Sequence, residues 1–128
     1  MKDFRELEVW SKSHALVLAV YQATRSFPKE ELYVLTSQLR RSAGSVPANI
    51  SEGCGRGSDL EFAKFLQVAM GSASEMEYQL LLAHDLCYLG DDAYGQFAKD
   101  VTEVKRMLAS LLKRIRYSSN GGSSQAKR

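Results

Sequence analysis

The sequence predicts an all-α fold, an antiparallel up-down-up-down four-helix bundle, and three observations carry that prediction. Two long segments repeat apolar residues at alternating steps of four and three, the seam period of left-handed helix packing. No segment alternates apolar and polar residues over the length of a strand. The composition, 45% hydrophobic and 25% charged in 128 residues, suits one domain with a substantial core and excludes a largely disordered or fibrous chain.

From about Leu7 to Phe27 the apolar residues Leu7, Trp10, Val17, Leu18 and Tyr21 recur at helical spacing. Phe27-Pro28 ends that run, because the residue before a proline is pushed out of the helical region. Glu30 and Glu31 suit a helical first turn, where carboxylates oppose the positive end of the dipole. Helix two, beginning near Thr36, carries the seam Leu35, Leu39, Ser42, Val46, Asn49 and Gly53. Pro47 inside it removes a backbone donor and crowds the carbonyl four residues back, so a kink is expected. Gly53-Cys54-Gly55-Arg56-Gly57 stops the helix.

Helix three opens with Ser58-Asp59-Leu60-Glu61, a capping box in which Ser58 and Glu61 satisfy each other's free amides. Phe62, Leu66, Ala69, Ala73, Met76, Leu80, Ala83 and Cys87 form its seam, which runs to about Leu89, where Gly90 closes it. Helix four starts at Asp91 or Asp92, both good caps, and carries Tyr94, Phe97, Val101, Val104, Leu108, Leu111 and Ile115. Residues 1–117 thus make the bundle. Residues 118–128 hold almost nothing apolar and read as a flexible tail. Short connections make sequential helices antiparallel neighbours. In the hairpin of helices two and three, Ser42-Ala43-Gly44-Ser45 comes level with Gly71-Ser72-Ala73-Ser74, which lets the backbones approach closely.

The two cysteines, Cys54 and Cys87, are too few for a disulfide framework and are not spaced as C-x-x-C, so a reducing cytoplasm is the expected compartment. The start Met1-Lys2-Asp3-Phe4-Arg5-Glu6 lacks the pattern of a secretory signal, and no stretch approaches about 18 uninterrupted apolar residues, so no membrane association is expected.

Catalytic chemistry finds little foothold. The di-metal enzymes built on four helices need Glu-x-x-His motifs, and neither His14 nor His84 has a Glu three residues before it. Cys54 between glycines could be reactive only with a lowered pKa and a positioned base; otherwise it is a tolerated small residue. Gly53-Cys54-Gly55-Arg56-Gly57 precedes a helix N-terminus, as a phosphate cradle does, yet no strand leads into it and no P-loop or dinucleotide fingerprint is present. No catalytic, cofactor or metal site is expected, and a small-molecule or metal enzyme ranks third among the functional readings.

Asn49 lies on the seam of helix two, with Glu52 beside it. Buried polar groups cost stability unless paired but can fix register, so these two form a candidate structural polar motif, with Arg40, Arg41 and Arg56 as candidate partners of Glu52. Ligand binding is the other reading of Asn49.

The formal net charge of +2 hides a polarity along the chain. Residues 59–98 carry Lys64 against seven carboxylates, and residues 99–128 carry eight cations against Asp100 and Glu103. Lys99, Arg106 and Lys113 recur every seven residues away from the seam, and Arg116 extends the stripe. A phosphate backbone could lie along these candidate nucleic-acid-binding residues, by charge and shape more than by stacking; the alternative is a solvated face. Between Met76 and Leu89 apolar residues surround nearly the whole helix, more than one interior can cover. Tyr78, Leu81, Leu82, Tyr88 and Leu89 are therefore candidate subunit-interface residues, a locally thick core being the alternative.

Several segments occur in order on three helices: Phe4-Arg5-Glu6-Leu7-Glu8-Val9-Trp10, Leu35-Thr36-Ser37-Gln38-Leu39-Arg40-Arg41, Val46-Pro47-Ala48-Asn49-Ile50-Ser51-Glu52-Gly53, and Phe65-Leu66 with Gly71-Ser72-Ala73-Ser74-Glu75. Together they resemble the bacterial four-helix bundle family encoded by intervening sequences within 23S rRNA genes, over about Phe4 to Tyr117. The resemblance implies a ring-shaped homopentamer without enzymatic activity. The family is also similar in fold to the accessory variability protein of diversity-generating retroelements, a basic pentamer that partners a reverse transcriptase and nucleic acid. The family's helix-two motif falls on Pro47, Ala48, Asn49, Glu52 and Gly53, with Ser51 where Ala is more usual, and it carries no catalytic role. A shared fold does not transfer a site. The reading is thus a non-enzymatic, homo-oligomeric scaffold or accessory protein associated with RNA or with a nucleic-acid enzyme, the alternative being a protein-interaction adaptor that binds no nucleic acid.

Overall fold

The computed structural model describes the backbone of residues 3–127 and the side chains of residues 3–118. Four helices form the body, α1 Glu8–Thr24, α2 Ser37–Cys54, α3 Asp59–Asp85 and α4 Asp91–Lys127, with no strand among the described residues. The expected tail over 118–128 falls, apart from Ser118, on residues whose side chains lie outside the described ones.

Each neighbouring pair runs antiparallel. Leu7 lies beside Gly53 and Cys54 while Thr24 meets Arg40, which sets α1 against α2. Ser42 meets Gln79 while Gly53 lies against Phe62, which sets α2 against α3. Glu77 pairs with Lys105 while Gln67 shares a groove with Arg116, which sets α3 against α4. Lys12 reaches Asp100 while Leu7 lies near Ser110 and Leu111, which closes the bundle between α1 and α4.

The core seams of α2 and α3 follow the expected spacing. Leu35, Leu39, Ser42, Val46 and Gly53 are buried, and so are Leu66, Ala69, Ala73, Met76, Leu80 and Ala83. On α4 the seam passes through Phe97, Val101, Val104, Leu108 and then Leu112, one position beyond the expected Leu111.

The seam of α1 differs from expectation. Val9, Ser13, Leu16, Val20 and Thr24 are buried, whereas Leu18 and Tyr21 are exposed. Six consecutive apolar residues from Ala15 to Val20 permit more than one choice of inner face. The face chosen includes two hydroxyls that bond back to their own helix, Ser13 Oγ to the Trp10 carbonyl at 3.0 Å and Thr24 Oγ1 to the Val20 carbonyl at 2.8 Å. That pairing removes most of the cost of burying them.

The helix ends show three further differences. Between α1 and α2 the chain forms a short 3-10 turn, Lys29–Glu31, and then a π-helical turn, Leu32–Thr36, so Glu30 and Glu31 do not open α2 itself. The Ser58 half of the capping box is present, its Oγ accepting from the Glu61 amide at 3.2 Å, but the Glu61 carboxylate turns instead to Lys64 at 3.4 Å. Helix α3 ends at Asp85, earlier than Leu89, in a turn whose left-handed residue is Cys87 (φ 67°). There the Cys87 amide bonds the His84 carbonyl and the Tyr88 amide bonds the Ala83 carbonyl, both at 2.9 Å, the Schellman pattern that glycine usually completes. Cys87 is thus exposed and off the seam. Gly90 caps the next helix instead of closing α3, since its carbonyl accepts from the Tyr94 amide. Asp91, released from capping, places its carboxylate 2.7 Å from His84 Nε2.

The small-residue approach of α2 and α3 holds where Ser45 Oγ meets Ser72 Oγ at 2.8 Å, but the glycine it depends on most is a different one. A Cβ on Gly44 or Gly71 would meet nothing within 4 Å, so these two glycines face open space. At Gly53 the same atom would lie 2.8 Å from Phe62 Cδ1 and 2.9 Å from Phe65 Cβ. The indispensable glycine is the one beside the turn.

Candidate nucleic-acid interface

Between α2 and α3 the structural polar motif is more extensive than Asn49 and Glu52. Asn49 is half-buried, and its Nδ2 donates to the Ser45 carbonyl at 2.8 Å and to Ser45 Oγ at 2.9 Å. Ser72 Oγ donates to Ser45 Oγ at 2.8 Å and so carries the chain of bonds across to α3. Glu52 is exposed and pairs with Arg56 at 2.9 Å, one of its three expected partners. Arg40 and Arg41 serve other groups, Thr24 Oγ1 and Glu75 respectively.

A second chain of bonds one turn away was not read from sequence. Ser42 Oγ lies 2.6 Å from Oε1 of the buried Gln79, Gln79 Nε2 reaches Glu75, and Glu75 pairs with Arg41 at 3.1 Å. Gln79 sits three residues after Met76 on the inner side of α3, and that spacing is the only sequence signal for it. Both chains of bonds cross between α2 and α3 and hold the register of the two helices, the second running from the buried Ser42–Gln79 contact out to the exposed Arg41–Glu75 pair.

The basic residues of α4 lie on its outer side. Lys99, Arg106, Lys113 and Arg116 are all exposed. At 100° per residue, the first three fall within a narrow arc opposite the seam Phe97, Val101, Val104 and Leu108, and Arg116 is turned toward α3. The structure does not leave them equivalent. Arg106 pairs with Glu103 on its own helix and borders a depression toward α1 that holds Glu6 and Glu8. Lys99 borders the neighbouring depression with Glu6, Glu8, Lys12, Asp100 and Glu103. Lys113 and Arg116 instead line a groove toward α3 with Gln67 and Met70. Among the described residues Lys99, Lys113 and Arg116 have no ion pair.

Of the candidate subunit-interface residues, Tyr78 is 61% exposed and Leu81 is 41% exposed, whereas Leu89 is buried inside the chain. Leu82 and Tyr88 are half-buried and pack against the core. Tyr88 packs beside Phe27, with ring centroids 5.4 Å apart, and its hydroxyl donates to Glu31 Oε2 at 2.9 Å. That bond to a carboxylate holds the Tyr88 phenol above the usual tyrosine range, with desolvation and the charges of Glu31 and Glu30 adding to it. The other oxygen of Glu31 accepts from the Leu35 amide, so one carboxylate ties the π-helical turn to the α3–α4 connection.

Among the described residues no group of three or more His, Cys, Asp and Glu side chains could hold a metal ion. No helix there is long and apolar enough to cross a membrane.

Comparison with known proteins decides the lineage of this architecture. Residues 5–110 match the family described as 23S rRNA-intervening sequence protein. The chain belongs to that family. A crystal structure at 1.70 Å of a protein of unknown function from the S23 ribosomal protein family, from Bacteroides thetaiotaomicron VPI-5482, superposes with a TM-score of 0.76 at 29% identity, covering 82% of this chain and 95% of that one. No curated protein matches. The 23S rRNA-intervening sequence family thus supplies a fold and a lineage, and the chemistry must be argued from the residues.

Proposed function

We propose that this member of the 23S rRNA-intervening sequence family is a non-enzymatic, cytoplasmic, homo-oligomeric bundle that associates with RNA through the outer side of α4. The observation that carries the reading is the exposure of Lys99 and Lys113, opposite the core and without an ion pair among the described residues. Arg116 adds a third cation on the flank, and Arg106 contributes less because Glu103 already engages it. A homopentameric ring, implied by the family resemblance, would repeat this surface around its axis. The bend expected at Pro47 belongs to the same proposal.

Fluorescence anisotropy with RNA at two salt concentrations tests it. Affinity should fall as salt rises, with a logarithmic slope of roughly −0.7 per phosphate contact for a single strand. The pair Lys99→Glu and Lys113→Glu should weaken binding to all sequences alike without unfolding the protein, whereas Arg106→Glu should act less. Absent binding at low salt overturns the RNA reading. Light scattering tests the ring, which should weigh five times the 14.3 kDa chain.

One observation favours the adaptor as a second reading. Leu32, Tyr33 and Val34 are consecutive and exposed in the π-helical turn, Tyr33 to 88%. An apolar surface of that kind suits a protein partner, and an RNA-free bundle with a mass shift in the presence of a protein would support it.

A further inference from the structure

The groove between the beginning of α3 and the later part of α4 combines features that the basic stripe alone lacks. It consists of two adjoining depressions of about 380 and 480 Å³, which share Gln67 and Arg116. Both volumes fall within the roughly 300–1,000 Å³ range of small-molecule sites. Ala63, Met70, Leu112 and Ile115 supply an apolar floor, and Leu60 stands 69% exposed at the rim. Lys113 and Arg116 line the lower depression together with Tyr117, a residue that is 78% exposed. Gln67, at the junction, has no hydrogen-bond partner among the described residues, so its amide offers a free donor and acceptor.

We propose that this groove is a subsite for single-stranded nucleic acid, in which a base stacks on Tyr117 beside Gln67 while Lys113 and Arg116 hold the flanking phosphates. The inference rests on the RNA reading above and adds the strand type and the base contact. An aromatic face beside paired cations is the combination that binds single strands with little sequence preference. The amide of Gln67 can meet either hydrogen-bonding sense on a base edge. A duplex keeps its base faces stacked inside and could use only the cations, so the groove selects unpaired strands. Asp59 at the far end and Glu61, which already engages Lys64, oppose phosphate there. The strand therefore enters from the Lys113 end.

The test compares three probes on the full chain by anisotropy: an oligouridine, an abasic strand with the same number of phosphates, and an RNA duplex. The oligouridine should bind about tenfold tighter than the abasic strand, the size of one stacking contact. Tyr117→Ala should erase that ratio, and Tyr117→Phe should keep it. Because Tyr117 is exposed, both variants should fold, which circular dichroism verifies. Equal affinity for oligouridine and the abasic strand overturns the subsite while leaving the phosphate reading of α4 intact. Absence of binding to every probe overturns both. A duplex that binds as tightly as oligouridine and ignores Tyr117→Ala also overturns the subsite. So does a fall in mass for Leu60→Glu with unchanged affinity for oligouridine, which would assign the groove to a second copy of the chain.

Discussion

The two interfaces on opposite sides of the bundle are built on different principles. Between α2 and α3, small residues bring the backbones together, with the Gly53 backbone against Phe62 and Phe65 and hydroxyls meeting from Ser45 and Ser72. Between α1 and α4, longer charged side chains line open depressions, and the link that crosses them is Lys12 to Asp100 at 3.5 Å. Close approach excludes water, so every polar group inside must find a protein partner, and each such partner fixes register. Wide spacing lets water remain, so the charges there need no particular partner and hold little energy. One side of the molecule specifies the fold, and the other is free to vary.

Gly53→Ala should break this contrast most strongly. The added carbon cannot be placed without moving Phe65 Cβ, which is anchored to the backbone of α3, so a loss of about 3 kcal/mol is expected, at the upper end for overpacking. Urea denaturation measures it, and a loss below about 0.5 kcal/mol, the scatter of ordinary surface changes, would mean that the helices part without cost. Ser42→Ala comes next. It leaves the buried Gln79 carbonyl oxygen without its 2.6 Å donor, with an expected cost of about 1–2 kcal/mol. In a double-mutant cycle with Gln79→Leu the combined loss should be smaller than the sum; strict additivity would show that the pair is not coupled. Lys12→Ala on the open side should change stability by less than about 0.5 kcal/mol, and a larger effect in the same denaturation assay would erase the distinction between the interfaces.

How much of this was legible in the sequence depended on whether one face of each helix was unambiguous. In α2 and α3, inward positions such as Leu39, Val46, Leu66 and Met76 recur at steps of three and four, so their seams could be read directly. In α1 the run Ala15 to Val20 has no polar side, and the true inner face includes Ser13 and Thr24, whose hydroxyls are satisfied by their own helix. No hydrophobic periodicity reports such residues. The end of α3 was misplaced because Cys87 adopts the left-handed conformation normally signalled by glycine, and Gly90 drew attention to itself three residues later. At the candidate site, seven-residue spacing located Lys99, Arg106 and Lys113 on the outer arc. The carboxylate that engages Arg106, Glu103, stands three residues before it and could have been noticed. Gln79 and Tyr117 were hidden for opposite reasons. A glutamine usually signals surface, and an aromatic residue just past the last seam position usually signals the end of a core.

The turn at Cys87 also divides the two thiols of the chain. Cys54 is buried beside the α2–α3 turn, while Cys87 stands in solvent at the other end of α3. The folded protein therefore presents one thiol to a bulky alkylating reagent and the unfolded chain presents two. Labelling stoichiometry is an intrinsic counter of global opening in this molecule, with no engineered probe required.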